Sequence, residues 1–237
     1  MNRCEVTPII LAGGAGKRLR SITSTQKVIV NINDQPFITY LLNLLASAGF
    51  TQTIICVGYR SKDVVGKLGN AYGGMELIYS FEKKALGTAG AVVNSLGKSS
   101  SDHLLILNGD SFCNVNLNDF LVYFSTKANL PSLVTVHLSD TARFGRIEFD
   151  REFRITSFIE KNGERTEGWI NSGIYLLPRE IFTSSPKDEV LSLEYQVLPD
   201  LIETGLFAFT HKGKFVDIGT PESYHDATNI LRNEQTP

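Results

Sequence analysis

Three cysteines in 237 residues, Cys4, Cys56 and Cys113, are too few and too scattered to form a disulfide framework. Their number is odd and each stands alone, so a thiolate metal site is excluded too and a reducing compartment is implied. An excess of one charge sign is also missing: 23 Lys and Arg against 25 Asp and Glu leave a net charge of −2. Such a chain has no field that gathers nucleic acid or anionic lipid, so neither is an expected partner, and a bound polyanion must be held by a few placed cations. No apolar run approaches the roughly 20 residues of a membrane span. Residues 1–7 carry no signal-peptide cleavage pattern, and the cytoplasm is the compartment expected. None of His103, His137, His211 and His225 has a partner at ligand spacing, and all four read as structural. A Ser- or Gly-rich linker and an internal repeat are absent as well.

What is present is an alternation of short apolar runs with amphipathic ones. Residues 8–11, 53–57, 77–79 and 103–107 are apolar on both faces, as strands covered by helices on both sides must be. Between them, residues 37–48, 62–68 and 88–96 have helical spacing. This predicts an α/β fold: a Rossmann-like mixed, mostly parallel sheet with helices on both faces and ligands beyond the carboxyl ends of its strands. The second half reads differently. Residues 146–149 and 155–159 alternate as a hairpin, residues 174–177, 206–210 and 215–218 as further strands, and 195–202 and 222–231 as helices. The expectation is one domain over residues 1–237, with a nucleotide-binding half to about residue 130. A small β-rich substrate lobe and a C-terminal helix follow, at about 131–237.

After the first strand the chain reads Leu11-Ala12-Gly13-Gly14-Ala15-Gly16-Lys17-Arg18-Leu19. Three glycines in four positions let backbone N–H groups approach an anion closely, and Lys17 and Arg18 bring charge to the same place. It is not a P-loop, because Arg18 stands where a hydroxyl residue is needed, nor a dinucleotide loop, because Leu19 replaces its third glycine. A second candidate is Asp110, which follows the apolar strand at 103–107 and is expected at that strand's end, over the ligand crevice. A hard cation such as Mg²⁺ takes carboxylate oxygens of this kind. The residues after Asp110 do not pair convincingly with the strand before it, which argues against a plain hairpin turn.

The chain resembles the sugar-phosphate nucleotidyltransferases, whose signature is Gly-Gly-x-Gly-x-Arg-Leu followed some ten residues later by Pro-Lys. Here Gly13 to Leu19 match, Lys27 matches, and Gln26 departs from the proline. The likeness continues in order through Leu86-Gly87-Thr88-Ala89-Gly90, Asn108-Gly109-Asp110, Phe158-Ile159-Glu160-Lys161, Ile170-Asn171-Ser172-Gly173 and Val216-Asp217-Ile218-Gly219-Thr220-Pro221. Within the family it is most similar to the D-glycero-D-manno-heptose 1-phosphate guanylyltransferases. The resemblance implies transfer of GMP from GTP to a heptose 1-phosphate, with Mg²⁺ as cofactor and a homo-oligomer left open. It implies Arg18, Lys27 and Asp110 as catalytic residues, Lys27 nearest the α-phosphate. Leu11, Ala12, Gly13, Gly14, Gly16, Lys17, Arg18, Glu82, Gly87, Thr88, Asn108 and Gly109 are expected at the nucleotide. Gly145, Glu160, Lys161 and Asn171 are expected at the sugar phosphate, with Trp169 either a pocket wall or core. Asp110 and Asp217 are expected to share the metal. Glu82, just past the strand at 77–81, fits guanine: a carboxylate accepts from both N1–H and the N2 amino group. Two alternatives stand beside this reading. One is a mannose 1-phosphate guanylyltransferase or a transferase using another triphosphate. The other is a non-catalytic nucleotide-sensing subunit, which has no physical need to keep Arg18, Lys27, Asp110 and Asp217 together.

Overall fold

The computed structural model describes residues 5–19, 23, 25–159, 163–186 and 188–232. Its first apolar run is strand β1, Val6–Ala12. Two short strands, β2 Asn31–Ile32 and β3 Gln35–Pro36, pair with each other and lead into helix α1, Phe37–Ser47. Strand β4 (Gln52–Val57), helix α2 (Ser61–Leu68), the short strand β5 (Ala71–Tyr72), strand β6 (Met75–Phe81) and helix α3 (Gly87–Ser95) continue the alternation. Strands β7 (His103–Asn108) and β8 (Ser111–Cys113) precede helix α4, Leu117–Thr126. The second half begins with β9 (Ser132–Leu138), the hairpin β10 (Arg146–Phe149) and β11 (Ile155–Ile159), and the long β12 (Gly168–Pro178). Helix α5 (Glu180–Thr183) follows, then a π-helical turn at Leu193–Val197 running into α6, Leu198–Thr204. Strands β13 (Phe207–His211) and β14 (Phe215–Asp217) and helix α7 (Pro221–Ile230) complete the fold.

Ten strands form one mixed sheet in the order β11-β10-β12-β7-β1-β4-β6-β5, with β9 paired to β12 and β13 to β9. Its centre, β6-β4-β1-β7, is parallel throughout, and β12 joins it antiparallel to β7. This is the Rossmann-like arrangement that the alternating first half predicts. The chain steps outward from β1 to β4 to β6, then jumps back to the other side of β1 as β7. That reversal opens a crevice at the carboxyl ends of β1 and β7, where doubly wound sheets bind ligands. Leu11 and Asn108 are register partners at this point.

Successive central-strand residues feed opposite cores. Ile10, Ile55, Leu105 and Leu107 pack with Phe37 and Leu41 of α1, Phe120 and Phe124 of α4 and Ala227 of α7. Ile9, Ile54, Leu104 and Ile106 pack with Val92 of α3, Phe182 of α5 and Leu198 of α6. Each fully buried aliphatic side chain contributes roughly 1.5–3 kcal/mol, so both faces are anchored. Helix α4 and strand β9 lie in a stretch for which the sequence yields no element. Strand β8 pairs antiparallel with β14, not with β7, so Asn108-Gly109-Asp110 is not a hairpin turn. Among the described residues no helix is long and apolar enough to cross a membrane.

Candidate active site

The glycine loop leaves the end of β1 and folds back on Lys27. A Cβ on Gly16, which sits at φ +55°, would meet Lys27 Cβ at 3.2 Å. Gln26 stands where the family has proline, and its φ of −62° is one that proline adopts. The side chain then adds what proline lacks. Gln26 is 2% exposed, and its Nε2 donates to Ala12 O at 2.8 Å and Gly14 O at 3.3 Å. Its Oε1 accepts from Val28 N at 2.7 Å, capping the short turn Lys27–Ile29. The carboxamide therefore ties the glycine loop to the turn that presents Lys27. Arg18 is exposed at the cleft. Ala12 is buried beneath the loop, and the side chain of Lys17 lies outside the described residues.

Glu82 is not a solvated loop charge. Its carboxylate packs against the α-carbon of Gly13, where any Cβ would collide with Oε1. Its Oε2 accepts from Leu86 N at 3.2 Å. Burial pushes the Glu82 carboxyl above its ordinary value, partly offset by the Leu86 N–H. The segment Leu86-Gly87-Thr88-Ala89-Gly90 seats a second piece of chain, residues 189–193. Ala89 N and Gly90 N donate to Leu191 O at 2.9 and 3.2 Å, and Leu191 N returns a bond of 2.9 Å to Leu86 O. A Cβ on Gly87 would strike Leu191 O, and one on Gly90 would lie 2.7 Å from Glu189 O. The Thr88 hydroxyl is spent inside this joint, donating to Glu194 Oε2 at 2.8 Å and accepting from Leu193 N at 2.8 Å.

At the end of β7, Gly109 lets the backbone pass under Leu11: its N–H donates to Leu11 O at 3.0 Å. Asp110 follows, and Lys27 Nζ lies 2.7 Å from its Oδ2. Lys27 is thus an inward cation with an 11% exposed side chain. Ile218 N donates to Asp110 O at 2.9 Å, and Asp217 is the register partner of Ser111. The two aspartates that the sequence singles out therefore stand on adjacent chain segments. Asp217 Oδ1 takes a 2.8 Å ion pair from Arg143, which also donates to Ser223 Oγ at 3.3 Å. Sequence reasoning missed Arg143; its one signal is a cation two residues before Gly145.

Two hollows meet here. A cleft of about 900 Å³ is lined by Leu11, Gly13, Gly14, Gly16, Arg18, Lys27, Glu82, Gly87, Thr88, Asn108, Gly109 and Asp110. A cavity of about 290 Å³ beside it includes Asp110, Asp217, Arg143, Gly145 and Asn171. Asn108, Asp110 and Glu194 line both. Asn171 reaches the cavity because β12 is irregular against β9 between Asn171 and Tyr175, with Gly173 at φ +81°. Glu160 and Lys161 lie outside the described residues. Trp169 packs on the rings of His137 and Phe149, away from either lining. Of the other histidines, His103 packs on Phe124, His225 on Tyr224, and His211 Nε2 meets Asn114 Oδ1 at 2.9 Å. Among the described residues no cluster of three or more metal-ligating side chains occurs.

Residues 7–234 match the family model described as Nucleotidyl transferase. The chain belongs to that family. As a nucleotidyl transferase it is similar to D-glycero-alpha-D-manno-heptose 1-phosphate guanylyltransferase of Aneurinibacillus thermoaerophilus, 34% identical over 95% of this chain and 98% of that protein. It is 29% identical to mannose-1-phosphate guanylyltransferase of Mycobacterium tuberculosis over 93% of this chain and 63% of the longer relative. The crystal structure of HddC from Yersinia pseudotuberculosis complexed with GMP-PN superposes with a TM-score of 0.81 at 31% identity, covering 94% of this chain and 98% of that one.

Proposed function

We propose that this nucleotidyl transferase moves GMP from GTP to D-glycero-α-D-manno-heptose 1-phosphate, giving a GDP-sugar and pyrophosphate. The observation that carries the reading is the shared wall: Asn108, Asp110 and Glu194 line both the cleft under the glycine loop and the cavity beside it. A triphosphate in the cleft and a sugar phosphate in the cavity meet at Asp110. The heptose-directed relative and the complex with GMP-PN support the sugar and the base. The mannose-directed relative supports mannose 1-phosphate as the second reading.

An oxygen of the sugar phosphate attacks the α-phosphorus, the bond from that phosphorus to the β-phosphate oxygen breaks, and pyrophosphate leaves with the electron pair. The nucleophile is already an anion, so no general base is required. The barrier lies in anion–anion repulsion and in charge growing on the α-phosphate and leaving group, which positioned cations and N–H groups lower. The amides of Gly13, Gly14 and Gly16 with Lys17 and Arg18 hold the triphosphate, and Lys27 stands nearest the α-phosphate. Arg143, Gly145 and Asn171 receive the sugar phosphate together with Glu160 and Lys161. Glu82, desolvated against Gly13, reads guanine.

The donor set at Asp110 and Asp217 fits Mg²⁺. Two hard carboxylates stand on neighbouring segments facing the cavity, and Mg²⁺ takes one or two carboxylates with waters and substrate phosphate oxygens. When bound there it supplies Lewis-acid neutralisation of phosphate oxygens. Lys27 and Arg143 are the cations on these carboxylates and the groups best placed to turn to phosphate. The unit spans residues 1–237, with a nucleotide half to about 130 and a sugar lobe beyond. It works in the cytoplasm, in keeping with Cys56 and Cys113 being buried free thiols. Pyrophosphate release from each common triphosphate with a panel of sugar 1-phosphates tests the reading; release only with a triphosphate other than GTP overturns it.

A further inference from the structure

Glu194 is absent from the residues that sequence singles out, yet it has the densest set of polar contacts at the junction of the two hollows. It sits at the start of the π-helical turn, just after the segment 189–193 that docks on Leu86 to Gly90. Its Oε2 accepts from Thr88 Oγ1 at 2.8 Å and Ser192 Oγ at 3.1 Å. Its Oε1 accepts from Tyr175 OH at 3.3 Å and Asn108 Nδ2 at 3.5 Å. All four partners are neutral donors, as an acceptor-only carboxylate requires.

Two consequences run into the sugar cavity. Holding the Asn108 NH₂ group on Glu194 fixes the flip of that amide and leaves Asn108 Oδ1 buried without a hydrogen-bond partner. Ser172 Oγ, in a residue 1% exposed on the same cavity, also lacks one. Directing the Tyr175 proton to Glu194 makes the phenol oxygen an acceptor for Asn171 Nδ2 at 2.9 Å. Asn171 Oδ1 is meanwhile held by Gly173 N at 2.9 Å. One N–H of Asn171 therefore stays uncommitted. Orphaned buried acceptors and donors on a cavity wall call for a polar ligand, because leaving them unpaired is costly. A sugar hydroxyl, both donor and acceptor, matches them.

We propose that Glu194 is the positioning residue of the sugar site: it fixes the amides of Asn108 and, through Tyr175, of Asn171 so that together with Ser172 they bind a hydroxyl of the sugar 1-phosphate. Glu194 touches no substrate itself. On this view the Leu86 to Gly90 segment seats the chain that carries Glu194, so a motif on the nucleotide side shapes the sugar side. The inference rests on the sugar-phosphate reading above.

The test is Glu194→Gln, which keeps the shape and replaces the charge with an amide that can point donors at donors. Steady-state pyrophosphate release should show kcat/KM for the sugar phosphate down by about 10- to 100-fold, the range for a lost charge-assisted hydrogen bond. KM for GTP should stay within about twofold. A merely structural role would lower both together or neither, and either result overturns the proposal. A panel of monodeoxy sugar 1-phosphates sharpens this. One position should cost the wild type about tenfold and cost the variant nothing further, because the hydroxyl and Glu194 act through one network. Independent, additive losses at every position overturn the proposal. If Glu194→Gln does not fold, Tyr175→Phe carries the same comparison, with a sugar-only loss expected and an equal or absent loss contradicting it. A wild type inactive on every sugar 1-phosphate overturns the functional reading itself, and the inference with it; an active wild type with an unselective variant overturns the inference alone.

Discussion

Gln26 gives the most quantitative handle on the glycine loop. Gln26→Met keeps the length and burial of the side chain and removes three hydrogen bonds, of 2.7, 2.8 and 3.3 Å. The two short ones count most, and their partners, Val28 N and Ala12 O, are left stranded beneath the loop. At about 1 kcal/mol for each lost bond, and more where a buried partner goes unsatisfied, the loss is roughly 2–4 kcal/mol. For a chain of this length that lowers Tm by roughly 4–16 °C. The same change releases the turn that presents Lys27, so KM for GTP should rise with it. Gln26→Pro should be less harmful than Gln26→Met by about 0.4–1 kcal/mol. It keeps φ near −62° and restricts the unfolded chain, though it too forfeits the carboxamide. Thermal unfolding followed by circular dichroism, with GTP titrations on the same samples, measures both effects. A Gln26→Met protein with unchanged Tm and unchanged GTP affinity would refute the reasoning that this side chain organises the loop.

Asp110→Asn should abolish most turnover while leaving the fold intact, and excess chelator should silence the wild type; full activity in either case removes the metal from Asp110. Glu82→Gln should weaken GTP use by roughly 1.5–3 kcal/mol and narrow the gap to UTP, and an unchanged triphosphate preference returns guanine recognition to some other residue. Burial raises the Glu82 pKa, so its charged form is lost earlier than an exposed carboxylate's as pH falls, and GTP selectivity measured against pH should fade on acidification. The stability linked to that group runs the other way: it is present below the unfolded value and lost as pH rises through the raised one. Arg143→Met breaks a partly exposed ion pair to Asp217, which is worth at most about 1 kcal/mol, so Tm should hardly move. KM for the sugar phosphate should nonetheless rise by about tenfold or more as a phosphate-facing cation is lost; an unchanged KM removes Arg143 from that role.

The parts of the fold legible in the sequence are those whose signal is local. Strands β1, β4 and β7 announce themselves because both of their faces are buried, β6 by its short apolar run although Glu76 and Phe81 are exposed, and α1 to α3 by their spacing. Helix α4 is harder to read: its buried face of Leu117, Phe120, Leu121 and Phe124 behind the Asn116 cap is blurred by Val122, which is apolar yet exposed. At the site, the glycine loop and Asp110 follow directly from strands in sequence. Glu194 and Arg143 could not be reached that way. Glu194 meets Thr88 across 106 residues and Asn108 across 86, while Arg143 meets Asp217 across 74. In isolation each is an ordinary charge near an aromatic. Gln26 is the converse case. It departs from the family's proline, yet the fold retains the proline backbone and adds three bonds.

The central claim is that two hollows sharing Asn108, Asp110 and Glu194 bring a guanine triphosphate to a sugar 1-phosphate. The most direct measurement is pyrophosphate release by the purified protein with Mg²⁺, GTP and either heptose or mannose 1-phosphate, with product masses recorded. The account predicts GDP-heptose with the higher kcat/KM. A higher kcat/KM for mannose 1-phosphate would contradict the heptose assignment, and no nucleotide sugar from GTP with either sugar phosphate would contradict the account itself.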